Sequence, residues 1–323
     1  MSRARIELSG LAPERLLAVL ALFGLMQALT TARPYWRPRV AWHGPPWRPV
    51  LDAEADTLTE SDVARAALDG LDAWKHAFAF DGFADLKHTA EEYRAWAGPL
   101  LDVQTTKPAA VAAALASDAT TKRDGVRVQP TPLCAIFGQG HQHFLQRLAQ
   151  NVDPTTSTEA EIADAVFRWR YEREGSKVGG RRILKGSLRL DPAEDRRYAL
   201  AAGNPSAEAV RTVPGANRLA PLGLTLLPVV PDGRRLVATG ESRRGSTVRM
   251  VWPVWDPWLD LDAVSDLLDL PELVAESPST TDLRPRGVAE VFRCERLHVG
   301  KYMSFSPARP LWGVHGLVES SAT

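Results

Sequence analysis

Val288-Ala289-Glu290-Val291-Phe292-Arg293-Cys294-Glu295-Arg296-Leu297-His298-Val299, closed by Gly300, is the strongest strand signal in the chain. Val248-Arg249-Met250-Val251-Trp252-Pro253-Val254-Trp255 reads the same way, because valine and tryptophan fit a pleated, buried surface. Upstream, residues 226–231 and 236–239 flank Asp232-Gly233, a strong hairpin-turn signal. A helix is expected over residues 259–268. Strands and helices do not alternate in units of even length, which argues against a doubly wound parallel sheet. The C-terminal half is therefore expected to be β-rich, with mainly antiparallel strands.

The N-terminal half reads differently. Residues 5–9 suggest a short strand, Gly10 a turn, and Pro13 the first turn of a helix, where a missing N–H costs nothing. Leu16, Leu17, Leu20, Phe23, Gly24 and Leu25 cover most faces of that helix, so it is expected to be buried on nearly all sides until Pro34 and Pro38 end it. A hairpin through His43-Gly44-Pro45-Pro46 follows. Thr59 or Ser61 can cap the next helix, and Thr89 with Glu92 forms a capping-box pattern for another. Pro108 opens an alanine-rich helix expected to run to about Asp118, and Lys122-Arg123-Asp124-Gly125 reads as a turn. Residues 126–133 look extended.

Beyond a polar linker at 151–158, the pattern gives a helix from Glu159 to Glu174 and a Gly, Arg and Lys-rich loop over 175–186. A short strand with Leu188 and Leu190 follows, then a turn at Asp191-Pro192. The fold class is thus α+β: a helix-rich N-terminal domain over 1–150, a basic, β-rich C-terminal domain over 151–315, and a frayed tail over 316–323.

Composition narrows the classes. With 45% apolar and 24% charged residues over 323 positions, a chain of this kind can bury a sizeable core. The two cysteines, Cys134 and Cys294, lie far apart without metal-ligand spacing, as expected of a reduced, cytoplasmic protein. Residues 16–29 are apolar but too few to span a bilayer, and Glu7 and Glu14 stand where an export signal carries bases. Net charge is zero, yet residues 52–102 are acidic and 168–249 are rich in arginine. Such asymmetry suits a polyanion partner or a complementary subunit surface.

Catalytic constellations are weak. His141 and His143, beside Gln139 and Gln142, lack further ligands, so no metal and no cofactor are expected there. The glycines around them suit a tight turn, or backbone N–H groups offered to an anion, but no Gly-Lys-Ser/Thr of a P-loop follows. No Gly-x-Ser-x-Gly occurs. Asp260 with Asp262 and Glu194 with Asp195 are better explained as helix starts than as Mg²⁺ ligands. The ten tryptophans fit core packing better than base stacking. The basic segment says more. Arg181, Arg182 and Lys185 sit in a glycine-flanked loop, and Arg196, Arg197 and Arg218 follow, with Arg189, Arg234, Arg235, Arg243 and Arg244 in the same stretch. Arginine's fork suits phosphate, and phosphate contacts hold nucleic acid without reading its sequence. A solvated, mixed surface is the plain alternative. Arginines on helix faces, such as Arg65 and Arg147, are expected to pair with acids instead.

Leu8-Ser9-Gly10-Leu11-Ala12-Pro13 followed by Leu16-Leu17-Ala18-Val19-Leu20-Ala21-Leu22-Phe23-Gly24-Leu25 resembles the N-terminus of subunits encoded in type I-G (formerly I-U) CRISPR loci. Similar to the same group are Pro130-Thr131-Pro132-Leu133 running into Phe137-Gly138-Gln139-Gly140-His141-Gln142, then Asp195-Arg196-Arg197-Tyr198-Ala199-Leu200. Gly215-Ala216-Asn217-Arg218-Leu219-Ala220 and Val299-Gly300-Lys301-Tyr302-Met303 complete the series. The resemblance implies a non-catalytic, large-subunit-like or accessory component of a Cascade-type complex. Its partners would be guide RNA or target DNA, other effector subunits and a separate helicase-nuclease. The chain is shorter than most large subunits, which suits an accessory role or a detached portion. On this reading Arg181, Arg182, Lys185, Arg196, Arg197 and Arg218 carry nucleic-acid contact, with Gln139, His141 and Lys301 beside them. A protein–protein adaptor, or a nucleic-acid-processing enzyme with an unrecognised site, are the alternatives.

Overall fold

The computed structural model describes residues 2–80, 82–102, 106–136, 143–194, 210–299 and 302–312. Gln139, His141, Arg196, Arg197, Lys301 and the expected tail lie outside them.

Strand β1 (Ala4–Glu7) leads through a turn containing Pro13 into helix α1 (Leu16–Ala32). The helix starts at Leu16 and not at Pro13, because Arg15 is still extended. Thirteen of its seventeen residues are buried, as apolar cover on all sides demands. Strands β2 (Arg39–His43) and β3 (Arg48–Ala53) form the expected hairpin and make a three-stranded antiparallel sheet in the order β1-β3-β2. Helix α2 (Glu60–Trp74) is closed by a Thr59–Asp62 capping box. Helix α3 (Ala90–Asp102) is closed by the expected one, in which the Glu92 carboxylate accepts from Thr89 N–H at 2.7 Å and the Thr89 hydroxyl accepts from Glu92 N–H at 3.1 Å. Helix α4 (Thr106–Leu115) stops short of Asp118, since β4 (Ala116–Thr121) is drawn into pairing with β5 (Val128–Pro130).

Helices α5 (Phe144–Val152) and α6 (Glu159–Ala163) come next. The latter widens into a π turn and ends at Trp169, whose φ of 52° breaks the helix before Glu174. Short strands β6 (Glu172–Arg173), β7 (Lys177–Val178), β8 (Arg181–Arg182) and β9 (Arg211–Thr212) follow. Helix α7 (Pro214–Leu224) has all eleven residues buried. Hairpin β10 (Val229–Asp232) and β11 (Arg235–Ala238) precedes β12 (Glu241–Arg244), β13 (Thr247–Trp255), α8 (Leu261–Leu268), α9 (Thr280–Leu283), β14 (Val288–Val299), β15 (Tyr302–Phe305) and β16 (Arg309–Pro310). The main sheet runs β12-β13-β14-β15, with β16 also on β14. Pro253 is tolerated on β13 because the β12 register ends at Met250, leaving only the β14 flank paired. Every described strand pair is antiparallel, so the protein is α+β, with most strands in its C-terminal half.

One apolar core runs from Leu8 to Ala308, continuous across the boundary expected at residue 150. Its centre is the crossing of α1 and α7. A Cβ on Gly24 would lie 1.9 Å from Leu219 O, and one on Gly223 would lie 2.0 Å from Leu20 O. The two backbones touch through reciprocal glycines, each facing the other helix's residue one turn away. Trp252 Nε1 donates to Pro13 O at 3.1 Å, tying the main sheet to the turn before α1. No helix among the described residues is long and apolar enough to cross a membrane.

Candidate nucleic-acid interface

The Gly, Arg and Lys-rich loop is a hairpin. Gly179 and Gly180, at φ of 55° and 81°, make the two-residue turn between β7 and β8, which needs positive φ at both positions. Arg173, Lys177, Arg182 and Lys185 are exposed on and beside it, and none forms an ion pair among the described residues.

Arg181 behaves differently. It turns back to the Glu161 carboxylate, which Arg218 also holds at 3.0 Å. Arg218 is only 1% exposed, and the expectation that it meets phosphate is corrected here. Its guanidinium also donates to Thr156 Oγ1 at 3.0 Å, to Thr156 O, and at 3.4 Å to Asn151 O and Asp153 O. Burial pulls its pKa below the usual arginine range, and the charge of Glu161 opposes that. The Arg181–Glu161–Arg218 triad thus roots the hairpin in the core and leaves Arg182 and Lys185 outside.

The segment after the hairpin is not the expected strand. Its N–H groups go to side chains: Ser187 to Glu174 at 2.8 Å, Leu188 to Asn217 at 2.9 Å and Leu190 to Glu194 at 3.2 Å. Arg189 takes a φ of 62° between them and donates to Glu194 O. Glu194 also accepts from Thr212 at 2.6 Å and Asn217 at 2.8 Å. Burial outweighs these donors and pushes its carboxyl up to about 6. It is a buried structural acid, and Asp195 lies outside the described residues. Asp260 caps α8 through Ala263 N–H, as its helix-start reading expects. Among the described residues no three His, Cys, Asp or Glu side chains gather as a metal ion requires.

Part of the charge asymmetry is answered inside the molecule. Arg168 of the basic stretch pairs with Glu60 of the acidic one, and Arg65 with Glu159 at 3.1 Å. Arg147 reaches Glu174 at 3.5 Å, so both helix-face arginines have acid partners. Arg243 pairs with Glu241 at 2.6 Å, and Arg249 with Glu276 and Glu295 at 2.9 and 3.1 Å. Exposed cations that sequence reading did not join into a site are Lys177 and Arg173 by the hairpin, and Arg123, Arg127, Arg234 and Arg235 on two other turns. The signal for the second group was present, as each turn carries Asp-Gly among bases.

Comparison with known proteins gives no relative: no protein family, no curated protein and no solved structure matches the chain.

Proposed function

We propose that this chain is a non-catalytic subunit of a type I CRISPR RNA-guided DNA interference complex, binding the backbone of guide RNA or target DNA through the β7–β8 hairpin. The observation that carries the reading is the exposed set Arg173, Lys177, Arg182 and Lys185 on a glycine-tipped hairpin whose root is an internal ion triad. Glycines let the strand of a nucleic acid approach closely, and the exposed forks are available to phosphate. The block order that resembles type I-G subunits supports this choice of assembly, whose cytoplasmic partners would be other effector subunits and a helicase-nuclease.

The test is binding of a labelled single-stranded RNA across a salt series, with parent and R182A/K185A. Removing one phosphate-binding side chain flattens the log–log salt slope by about 0.7 on a single strand. A flattening of about 1.4 is expected, with the fold unchanged because both side chains are exposed. Equal slopes would remove the hairpin from the interface. Recovery of the chain with effector proteins but without nucleic acid would favour a protein adaptor.

A further inference from the structure

A polar cleft opens apart from the β7–β8 hairpin in sequence, where the tips of β4–β5 and β10–β11 meet. Gln129 of β5 locks the two hairpins together. Its Nε2 donates to Thr121 O at 2.6 Å and to Arg234 O at 2.9 Å, and its Oε1 accepts from Leu236 N–H at 3.1 Å. One side chain therefore fixes the spacing of both turns. Between them opens a cleft of about 530 Å³ lined by Thr120, Lys122, Arg123, Gly125, Gly233 and Arg234, among others.

Two features of this cleft point to an anionic ligand. Arg123, Arg127, Arg234 and Arg235 are exposed and form no ion pair among the described residues. The carboxylates on the same turns are Asp124 and Asp232. Asp124 is already committed to its own backbone, accepting from Val126 and Arg127 N–H at 3.0 Å each. Gly125 and Gly233, at φ of 70° and 59°, place one residue without a side chain in each turn, with nothing within 4 Å of where a Cβ would stand.

We infer that the joined tips of β4–β5 and β10–β11 form a second backbone site for the same nucleic acid, taking a phosphodiester in the cleft with the flanking arginines on neighbouring phosphates. Four arginines over two hairpins exceed what one isolated phosphate needs, and a strand presents its phosphates in series. The ligand's identity rests on the nucleic-acid reading above; the place of the site does not depend on the β7–β8 hairpin.

The experiment is fluorescence anisotropy of a labelled single-stranded RNA with parent, R123A/R234A and R182A/K185A, over a salt series. Both tip side chains are exposed, and Arg234 meets Gln129 through its backbone oxygen, so the variant keeps the lock; an unchanged circular dichroism spectrum and melting point check this. The expected result is a salt slope flatter by about 1.4 in R123A/R234A, additive with the effect of R182A/K185A. A slope in R123A/R234A equal to the parent's overturns the tip site while leaving the nucleic-acid reading in place. No salt-dependent binding by the parent overturns both.

Discussion

Replacing Arg218 by methionine removes the centre of the internal ion triad while keeping most of the side chain's bulk. The arginine is 1% exposed and donates to Glu161 at 3.0 Å and to Thr156 Oγ1 at 3.0 Å. Methionine replaces none of these donors. Glu161 would retain Arg181, whose own side chain is 30% exposed, and the backbone carbonyls of Thr156, Asn151 and Asp153 would each be left without this donor. Breaking one side of a buried pair costs about 3–5 kcal/mol, against a total stability of about 5–15 kcal/mol for a folded protein. At about 2–4 °C per kcal/mol, R218M should melt about 6–20 °C below the parent by calorimetry. E161Q/R218M should recover part of that stability, because it no longer leaves a carboxylate half-paired. The reasoning is refuted if R218M lies within about 1 kcal/mol of the parent. It is equally refuted if R218M keeps its melting point and flattens the salt slope of RNA binding, since Arg218 would then be a surface contact.

G24A puts a methyl carbon 1.9 Å from a backbone oxygen, which no rotamer change relieves. It should cost at least about 1–3 kcal/mol in urea unfolding; an unchanged midpoint would contradict the α1–α7 crossing. Glu194 has its carboxyl raised from 4.5 to about 6 by burial. The folded state thus holds that proton more tightly, and the contribution present below pH 4.5 is lost as pH rises through 6. From pH 4.5 to 7, E194Q should therefore gain about 2 kcal/mol relative to the parent, read from paired urea midpoints; a flat difference would mean Glu194 is solvated. Burial raises both thiols, Cys294 to about 12 and Cys134 further in the same direction. Neither should react with a disulfide reagent at pH 8 until denaturant is added; native labelling of either would contradict their placement.

How much of this was legible in the sequence depended on whether the partners were local. The Thr89–Glu92 cap, the Asp232-Gly233 turn and the long β14 strand are written within a few residues, and they were readable. Helix α7 was not, because Gly215, Pro221 and Gly223 lower its propensity. Both of those glycines serve close backbone approach, to Glu161 O and Leu20 O, and full burial supplies what propensity lacks. Leu188 and Leu190 looked like a strand until Asn217 and Glu194 claimed their N–H groups. Arg182 and Lys185 could be placed outside from flanking glycines alone. Arg218 could not be placed inside, since its acid, Glu161, is 57 residues away.

The reciprocal-glycine crossing also sets a schedule for the nascent chain. Gly24 and Gly223 are about 200 residues apart, which ribosomes translating about 5–20 residues per second cover in about 10–40 s. Through that interval α1, apolar on nearly every side, has α2 to lean on but no α7 to close its other flank. This apolar helix is made early and covered late. Its safe passage falls to whatever holds nascent apolar segments at the ribosome exit, and truncations ending before residue 214 should be poorly soluble for the same reason.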